Sequence, residues 1–279
     1  SENSLVENVS GPYGDFVRQN TQAILDFTER YGVSTYVALI PNSCVIRQDE
    51  IPPLATVYNQ KSLFDYVYDR LAGSAICIDT YTSLYANNDK YLYYRTKELP
   101  TSLGGFYIYT AVGGKLGVAP REIEQFAIRP VLYDYYGELY EQFPYDRVQA
   151  DILSVYELES FHREYQVTHY DGEEETPRVY YTLYPLYCLK EGQDATDLYL
   201  GGLSPRIDIR STAPFEKRLL VFGDETMKSY LPFLTIHYDL ITFVDLNTIS
   251  DRQLEELDVY EYDQVLFAYS AESFMHTDI

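Results

Sequence analysis

Five short apolar runs, split between the two ends of the chain, most constrain how it folds. Thr35-Tyr36-Val37-Ala38-Leu39-Ile40 and Ala75-Ile76-Cys77-Ile78 lie in the first third. Leu219-Leu220-Val221-Phe222, Leu240-Ile241-Thr242-Phe243-Val244-Asp245 and Gln264-Val265-Leu266-Phe267-Ala268-Tyr269 lie in the last. Short runs rich in β-branched and aromatic residues, without polar alternation, read as strands buried on both faces. Helical spacing separates them. Phe16, Ala23, Ile24, Phe27 and Tyr31 share a helix face that Gly32 ends. Ser62-Leu63-Phe64-Asp65 reads as a capping box opening a helix through Leu71. Thr101-Ser102-Leu103-Gly104 starts another, through Phe106, Tyr109 and Val112 toward Gly117, and Ser250 caps a short helix to Leu257. Strands alternating with helices predict a parallel, doubly wound sheet. The ligand site of such a sheet lies outside the strands' C-terminal ends, which puts Pro41, Asp79, Asp224, Asp245 and Tyr269 on one rim.

The pattern changes after about Pro130. Residues 131–200 are rich in tyrosine, charged turns and short alternating segments. Gln166–Tyr170 and Arg178–Tyr184 read as strands around the acidic turn Asp171-Gly172-Glu173-Glu174-Glu175. The expected organisation is a single domain, 1–279, with a core from 11–130 and 216–279 and an α+β insertion at about 131–215.

The formal charge of −22 over 279 residues repels phosphate backbones and anionic lipid, so nucleic acid and membrane-surface binding are poor functional classes. No apolar run reaches the about 18 residues that span a bilayer. Cys44, Cys77 and Cys188 are odd in number and widely spaced, with no Cys-x-x-Cys pair, and Cys77 reads as a small core residue. His162, His169, His237 and His276 show no metal-ligand spacing, and His237 reads as a structural histidine beside a strand. No metal or cofactor is expected. Asn87-Asn88-Asp89 lacks the dense oxygen ligands of a calcium loop and reads as a turn. The 31 tyrosines, with no tryptophan, suit polar binding surfaces such as sugar sites, although sheet packing accounts for most of them.

Gly223-Asp224-Glu225 joins the run 218–222 to a helix opening at Thr226. A strand, a tight glycine turn and a helix N-terminus is where α/β hydrolytic folds place a nucleophilic serine. Here a glutamate stands there. Adjacent carboxylates rarely reach the separations glycosidases need, so Asp224 or Glu225 is expected to cap the helix instead.

Taken in order, these segments resemble the Asp-His-His-Trp (DHHW) family, extracytoplasmic bacterial proteins related to SGNH hydrolases and alginate O-acetyltransferase proteins. Tyr94-Arg95-Thr96 and Thr101-Ser102-Leu103-Gly104 frame the position of the family's name motif. Tyr135-Tyr136-Gly137 looks like its aromatic-Gly segment, and Tyr199-Leu200-Gly201-Gly202 like its Leu-Gly-Gly-Asn block. Gly223-Asp224, Leu231-Pro232-Phe233-Leu234 and His237-Tyr238 look like the segment carrying the nucleophile, and Val265–Tyr269 like the terminal strand. The resemblance implies an SGNH-hydrolase-like (flavodoxin-like) three-layer α/β sandwich with a parallel central sheet.

The departures fall on the chemistry. Lys97-Glu98-Leu99-Pro100 stands where the family has Asp-His-His-Trp, Leu203 where the Gly-Gly block continues with Asn, and Glu225 where the serine follows Asp. Acyl transfer of this type needs a hydroxyl, a base for its proton, an acid orienting the base and an oxyanion donor. Lys97, Leu99, Leu203 and Glu225 supply none of these, and Asp224, Glu225, Thr226, Lys97, Glu98, Leu203 and Ser204 would line a vestigial cleft. The resemblance with these holes implies a non-catalytic protein of a bacterial cell envelope, holding a glycan or an envelope partner, its signal or anchor outside this sequence. An active carbohydrate acyl-esterase or O-acyltransferase with relocated catalytic residues, and a structural assembly subunit, are the rival readings.

Overall fold

The two sets of apolar runs meet in one sheet. The computed structural model describes residues 4–7, 9–51, 55–159, 163–172, 176–190, 193–213 and 216–279. From the N-terminus these form α1 (Phe16–Tyr31), β1 (Thr35–Ile40), α2 (Ser43–Ile46), α3 (Gln60–Leu71), β2 (Ile76–Ile78), α4 (Thr80–Tyr85) and α5 (Ser102–Lys115). The middle contains β3 (Phe126–Tyr135), α6 (Glu138–Gln142), β4 (Asp151–Leu158), β5 (Tyr165–Tyr170), β6 (Arg178–Tyr180) and β7 (Arg206–Ser211). The last part adds β8 (Arg218–Gly223), α7 (Met227–Leu234), β9 (Leu240–Val244), α8 (Asp251–Glu255), β10 (Gln264–Ser270) and α9 (Ala271–His276).

Eight strands form the main sheet in the order β2-β1-β10-β8-β9-β7-β5-β6. The predicted runs are its parallel part: β1 pairs with β2 and β10, and β8 with β10 and β9. Alternate side chains feed two separate cores, as the pleat requires. Tyr36, Ala38, Ile40, Val221, Phe243 and Leu266 pack toward α5 and α7. Val37, Leu39, Leu220, Phe222, Val265 and Phe267 pack toward α1, α3 and α9. Helix, sheet and helix layers make the α/β sandwich that the resemblance implied.

The middle of the chain extends the sheet. β7 pairs antiparallel with β9, β5 with β7, and β6 with β5. The parallel central sheet is as expected, and these three antiparallel strands from the middle of the chain extend it on one side. β6 stops at Tyr180, so the expected strand over Arg178–Tyr184 is shorter than the run of β-forming residues. β3 and β4 form a separate antiparallel ribbon. Glu173–Glu175 and His162 lie outside the described residues.

Local signals mostly act as read. Gly32 closes α1 at φ 62, Thr101 caps α5, and Ser250 caps α8. The Ser62 box is a correction, because Asn59 caps α3 and accepts from the Ser62 N–H. Gly105 allows α5 to lie against α7, since a Cβ there would stand 1.9 Å from the Ser229 carbonyl oxygen. No helix among the described residues is long and apolar enough to cross a membrane.

Candidate functional site: an ion-pair cluster at the end of β8

β8 delivers Gly223-Asp224-Glu225 to the C-terminal rim of the sheet, and α7 runs back from it. Asp224 organises the turn. Its Oδ1 accepts from the Thr226 N–H at 3.0 Å and from the Thr226 hydroxyl, and its Oδ2 accepts from the Ser270 N–H at 2.7 Å, tying the turn to the end of β10. Of the two carboxylates expected to cap α7, Asp224 thus takes the N–H at the helix start, and Glu225 does not cap it. Its carboxylate meets two lysines instead: Oε1 lies 2.8 Å from Lys228 Nζ and 3.1 Å from Lys97 Nζ. A cap would point it along the helix axis, but two buried ammonium groups are the stronger attraction.

Lys97 arrives from a tight loop over residues 94–99. Tyr94 N–H donates to Leu99 O and Leu99 N–H to Lys97 O. Buried Asp151 holds the loop from beneath, accepting the backbone N–H of Arg95 at 2.7 Å and of Thr96 at 2.9 Å. The Tyr135-Tyr136-Gly137 segment rests on the same loop: Gly137 N–H donates to Thr96 Oγ1 and Leu139 N–H to Thr96 O. Two further carboxylates reach Lys97 from this side, Glu138 at 2.8 Å and Asp194 at 3.1 Å. Lys228 takes Asp197 at 2.7 Å, with Thr196 Oγ1 at 3.3 Å.

Two cations therefore serve four carboxylates. The lysine side chains are 5% and 3% exposed, whereas the carboxylates form the outer wall, at 31% to 44%. Burial pulls the Lys97 ammonium down, but Glu225, Asp194 and Glu138 together hold it above its ordinary range. Burial pushes Asp194 up, and Lys97 and Lys228 outweigh it, leaving the carboxyl far below the usual carboxylate range. Glu225 is held low in the same way, by Lys228 and then Lys97. Lys97, Asp194 and Glu225 are therefore charged at neutral pH. A lysine held protonated has no lone pair to act as a base, and an ion-paired carboxylate is a weak nucleophile.

No family model and no curated protein matches this sequence. Solved structures do match. A DHHW family protein from Eubacterium siraeum superposes with a TM-score of 0.76 at 16% identity, covering 99% of this chain and 93% of that one. The chain has the fold of a DHHW family protein. PatB1 of Bacillus cereus, solved with a sulfonyl adduct, is similar at TM-score 0.76 and 19% identity, covering 99% and 96% of the two chains. The O-acetyltransferase domain of Pseudomonas putida AlgJ is more distant, at TM-score 0.54 and 11% identity over 95% and 85%. At these identities the likeness is one of fold.

Within the DHHW-like fold, the residues singled out from sequence do not all come together. Lys97 and Glu225 are in contact, with Asp224 and Thr226 forming the turn beneath. Leu99 is 1% exposed in an apolar group with Tyr94, Tyr135, Leu153 and Tyr199, behind the cluster, whose Asp194 accepts from the Tyr135 hydroxyl at 2.9 Å. Glu98 also turns away from Glu225, its two oxygens each 2.6 Å from Ser43, one on the N–H and one on the hydroxyl. Leu203 is 36% exposed and reaches the cluster through its neighbour: Gly202, at φ +95, lies against the Asp197 carboxylate, where a Cβ would stand 2.9 Å from Oδ1.

Ser204 belongs to a second group. Its Oγ is 2.7 Å from His169 Nδ1, and it donates to Asp171 Oδ1 at 2.6 Å. His169 Nε2 faces the Leu200 carbonyl at 2.8 Å. Sequence reading missed Lys228, Asp194, Asp197 and Glu138. Lys228 carried a signal, standing one helical turn after Glu225. The three acids come from segments that only the fold brings together.

Proposed function

We propose that this chain is a non-catalytic SGNH-hydrolase-like protein of a bacterial cell envelope, a single domain with 131–215 as its insertion, that holds a glycan or an envelope partner. The observation that carries this reading is the Lys97–Glu225–Lys228 contact. It occupies the place after Gly-Asp at the end of β8 where acyl-transfer chemistry on this kind of scaffold puts its nucleophile. Two buried ammonium groups sit where a serine and its base would have to meet, and no histidine of the described residues touches Glu225. The envelope setting and the glycan follow from the family resemblance. The test is turnover of p-nitrophenyl acetate. The reading expects no rate above background from the wild-type chain, and a rate lost on Glu225→Gln contradicts it.

A second reading, an active acyl-esterase with a relocated nucleophile, has one observation in its favour: Ser204 touches His169. The local chemistry opposes it. The Leu200 carbonyl can only accept, so His169 Nε2 carries the proton and Nδ1 is left to accept from Ser204. Asp171 competes for that single hydroxyl proton. Ser204 is 3% exposed and His169 fully buried, which keeps an ester carbonyl away from Oγ. Turnover abolished by Ser204→Ala is the result that favours this reading.

A further inference from the structure

A second polar constellation lies at the other end of α7, near the N-terminal ends of the parallel strands. There the positive charges of Arg121, Arg163 and Lys217 act on His237, in a chain of net charge −22. The His237 imidazole is pushed down to about 4, first by burial and then by Arg121, Arg163 and Lys217. His237 is held in place by Tyr109, whose hydroxyl meets Nε2 at 2.8 Å. Arg121 Nε and Arg163 Nη1 are buried and have no hydrogen-bond partner among the described residues. Buried guanidinium nitrogens are ordinarily paired, and an unpaired one costs on the order of 1–3 kcal/mol. Two such groups, close enough to repel each other, mark a place prepared for negative charge.

A cavity of about 250 Å³ opens beside Arg163. Tyr156, Tyr165, Tyr181 and Tyr184 line it, over Pro232 of α7. Tyr181 is 78% exposed, a large ring standing at the mouth. Tyrosine faces with hydroxyls at their edges suit the alternating C–H and O–H surface of a sugar. Glu157, the one carboxylate among the described lining residues, is paired with Arg129 at 3.3 Å. The volume is below the roughly 300 Å³ at which drug-sized pockets begin, so it suits one sugar unit.

We propose that this cavity binds an anionic carbohydrate unit, its ring against the tyrosines and its carboxylate or phosphate on Arg163. The site is separate from the Glu225 cluster, and it stands whether or not that cluster is catalytic.

Calorimetric titration of the intact chain with D-glucuronate, glucose 6-phosphate, glucose and inorganic phosphate, at one ionic strength, tests it. Binding of glucuronate, glucose 6-phosphate or both is expected, and which of them binds identifies the anionic group. Glucose and inorganic phosphate should each bind at least about tenfold more weakly, because ring and charge both contribute. Arg163→Gln should weaken the acidic sugar about tenfold, and Tyr181→Ala, a change at an exposed ring that leaves the fold intact, should weaken it too. No binding of either acidic sugar overturns the proposal. So does inorganic phosphate binding as well as glucose 6-phosphate, or an affinity that neither variant changes.

Discussion

Glu225 Oε1 stands 3.1 Å from Lys97 Nζ and joins the loop before α5 to the turn before α7. The same oxygen holds Lys228, so one atom links two buried cations. Breaking this link tests its structural role. Lys97→Met leaves Glu138, Asp194 and Glu225 facing one another and should cost about 2–4 kcal/mol of unfolding free energy. Glu225→Gln should cost less, about 1–2 kcal/mol, because that side chain is more than a third exposed and water screens the change. The double variant should lose less than the sum, by about 1 kcal/mol or more, in urea titrations. Strict additivity contradicts the contact.

Stability against pH carries two opposite signatures. Burial holds the Glu98 carboxyl up at about 7, with the Ser43 N–H and hydroxyl pulling the other way. A carboxyl raised on folding stabilises the protein below its unfolded value of 4.5, and that contribution is lost as pH rises through the folded value. Unfolding free energy should therefore fall by about 1–3 kcal/mol between roughly pH 5 and 8. Glu7 and Glu272, also raised chiefly by burial, act in the same direction. Asp194 and Glu225 are held low, so their contribution is present at neutral pH and is lost as pH falls below about 4. Glu98→Gln keeps an acceptor for the Ser43 N–H and should flatten the neutral limb while leaving the acid limb in place. A wild-type stability that rises from pH 5 to 8 counts against this assignment.

The α5–α7 contact makes a sharper demand. Gly105→Ala places a methyl 1.9 Å from the Ser229 carbonyl oxygen, which belongs to backbone and cannot swing away. The helices must separate, at a cost of about 1–3 kcal/mol or more. Thermal unfolding of this variant should show a lowered midpoint, and an unchanged midpoint means the helices are not this close.

Much of this was legible in the chain before folding. The five apolar runs became the five parallel strands; in β1, β8, β9 and β10 burial on both faces leaves no room for polar alternation, whereas β2 is the sheet edge and leaves Ile76 exposed. The ends of α1, α5 and α8 followed from Gly32, Thr101 and Ser250, whose chemistry is local. The hairpin β5-β6 was readable from its two β-rich segments and the turn between them, but β7 was hidden, since Arg206–Ser211 is polar and its pairing with β9 is set by distant residues. Lys97 and Glu225 could be singled out by what they lacked as catalysts. Their pairing, and the arrival of Asp194, Asp197 and Glu138, depended on folds of the chain that no local spacing encodes. The same limit applied to Arg121 and Arg163, which lie on separate loops.

Glu225→Ser should not create an enzyme. The new hydroxyl would face Lys97 and Lys228 with no histidine to take its proton, since residue 99 is a leucine buried among aromatic rings. Hydrolysis of p-nitrophenyl acetate by this variant should stay at background. The fourfold variant Lys97→Asp, Leu99→His, Leu203→Asn and Glu225→Ser should also stay at background, because residue 99 is packed in the apolar group with Tyr94 and Leu153, and turnover in it would contradict that packing.

The most direct measurement is covalent labelling with a sulfonyl fluoride followed by intact mass. An activated serine nucleophile attacks the sulfonyl sulfur and expels fluoride, leaving a stable adduct, whereas an ordinary serine does not react at a comparable rate. With Glu225 tied to Lys97 and Lys228, and Ser204 buried under His169, the account predicts the unmodified mass of the 32.4 kDa chain after exposure that labels a serine esterase to completion. A stoichiometric adduct on any serine, Ser204 above all, would contradict it.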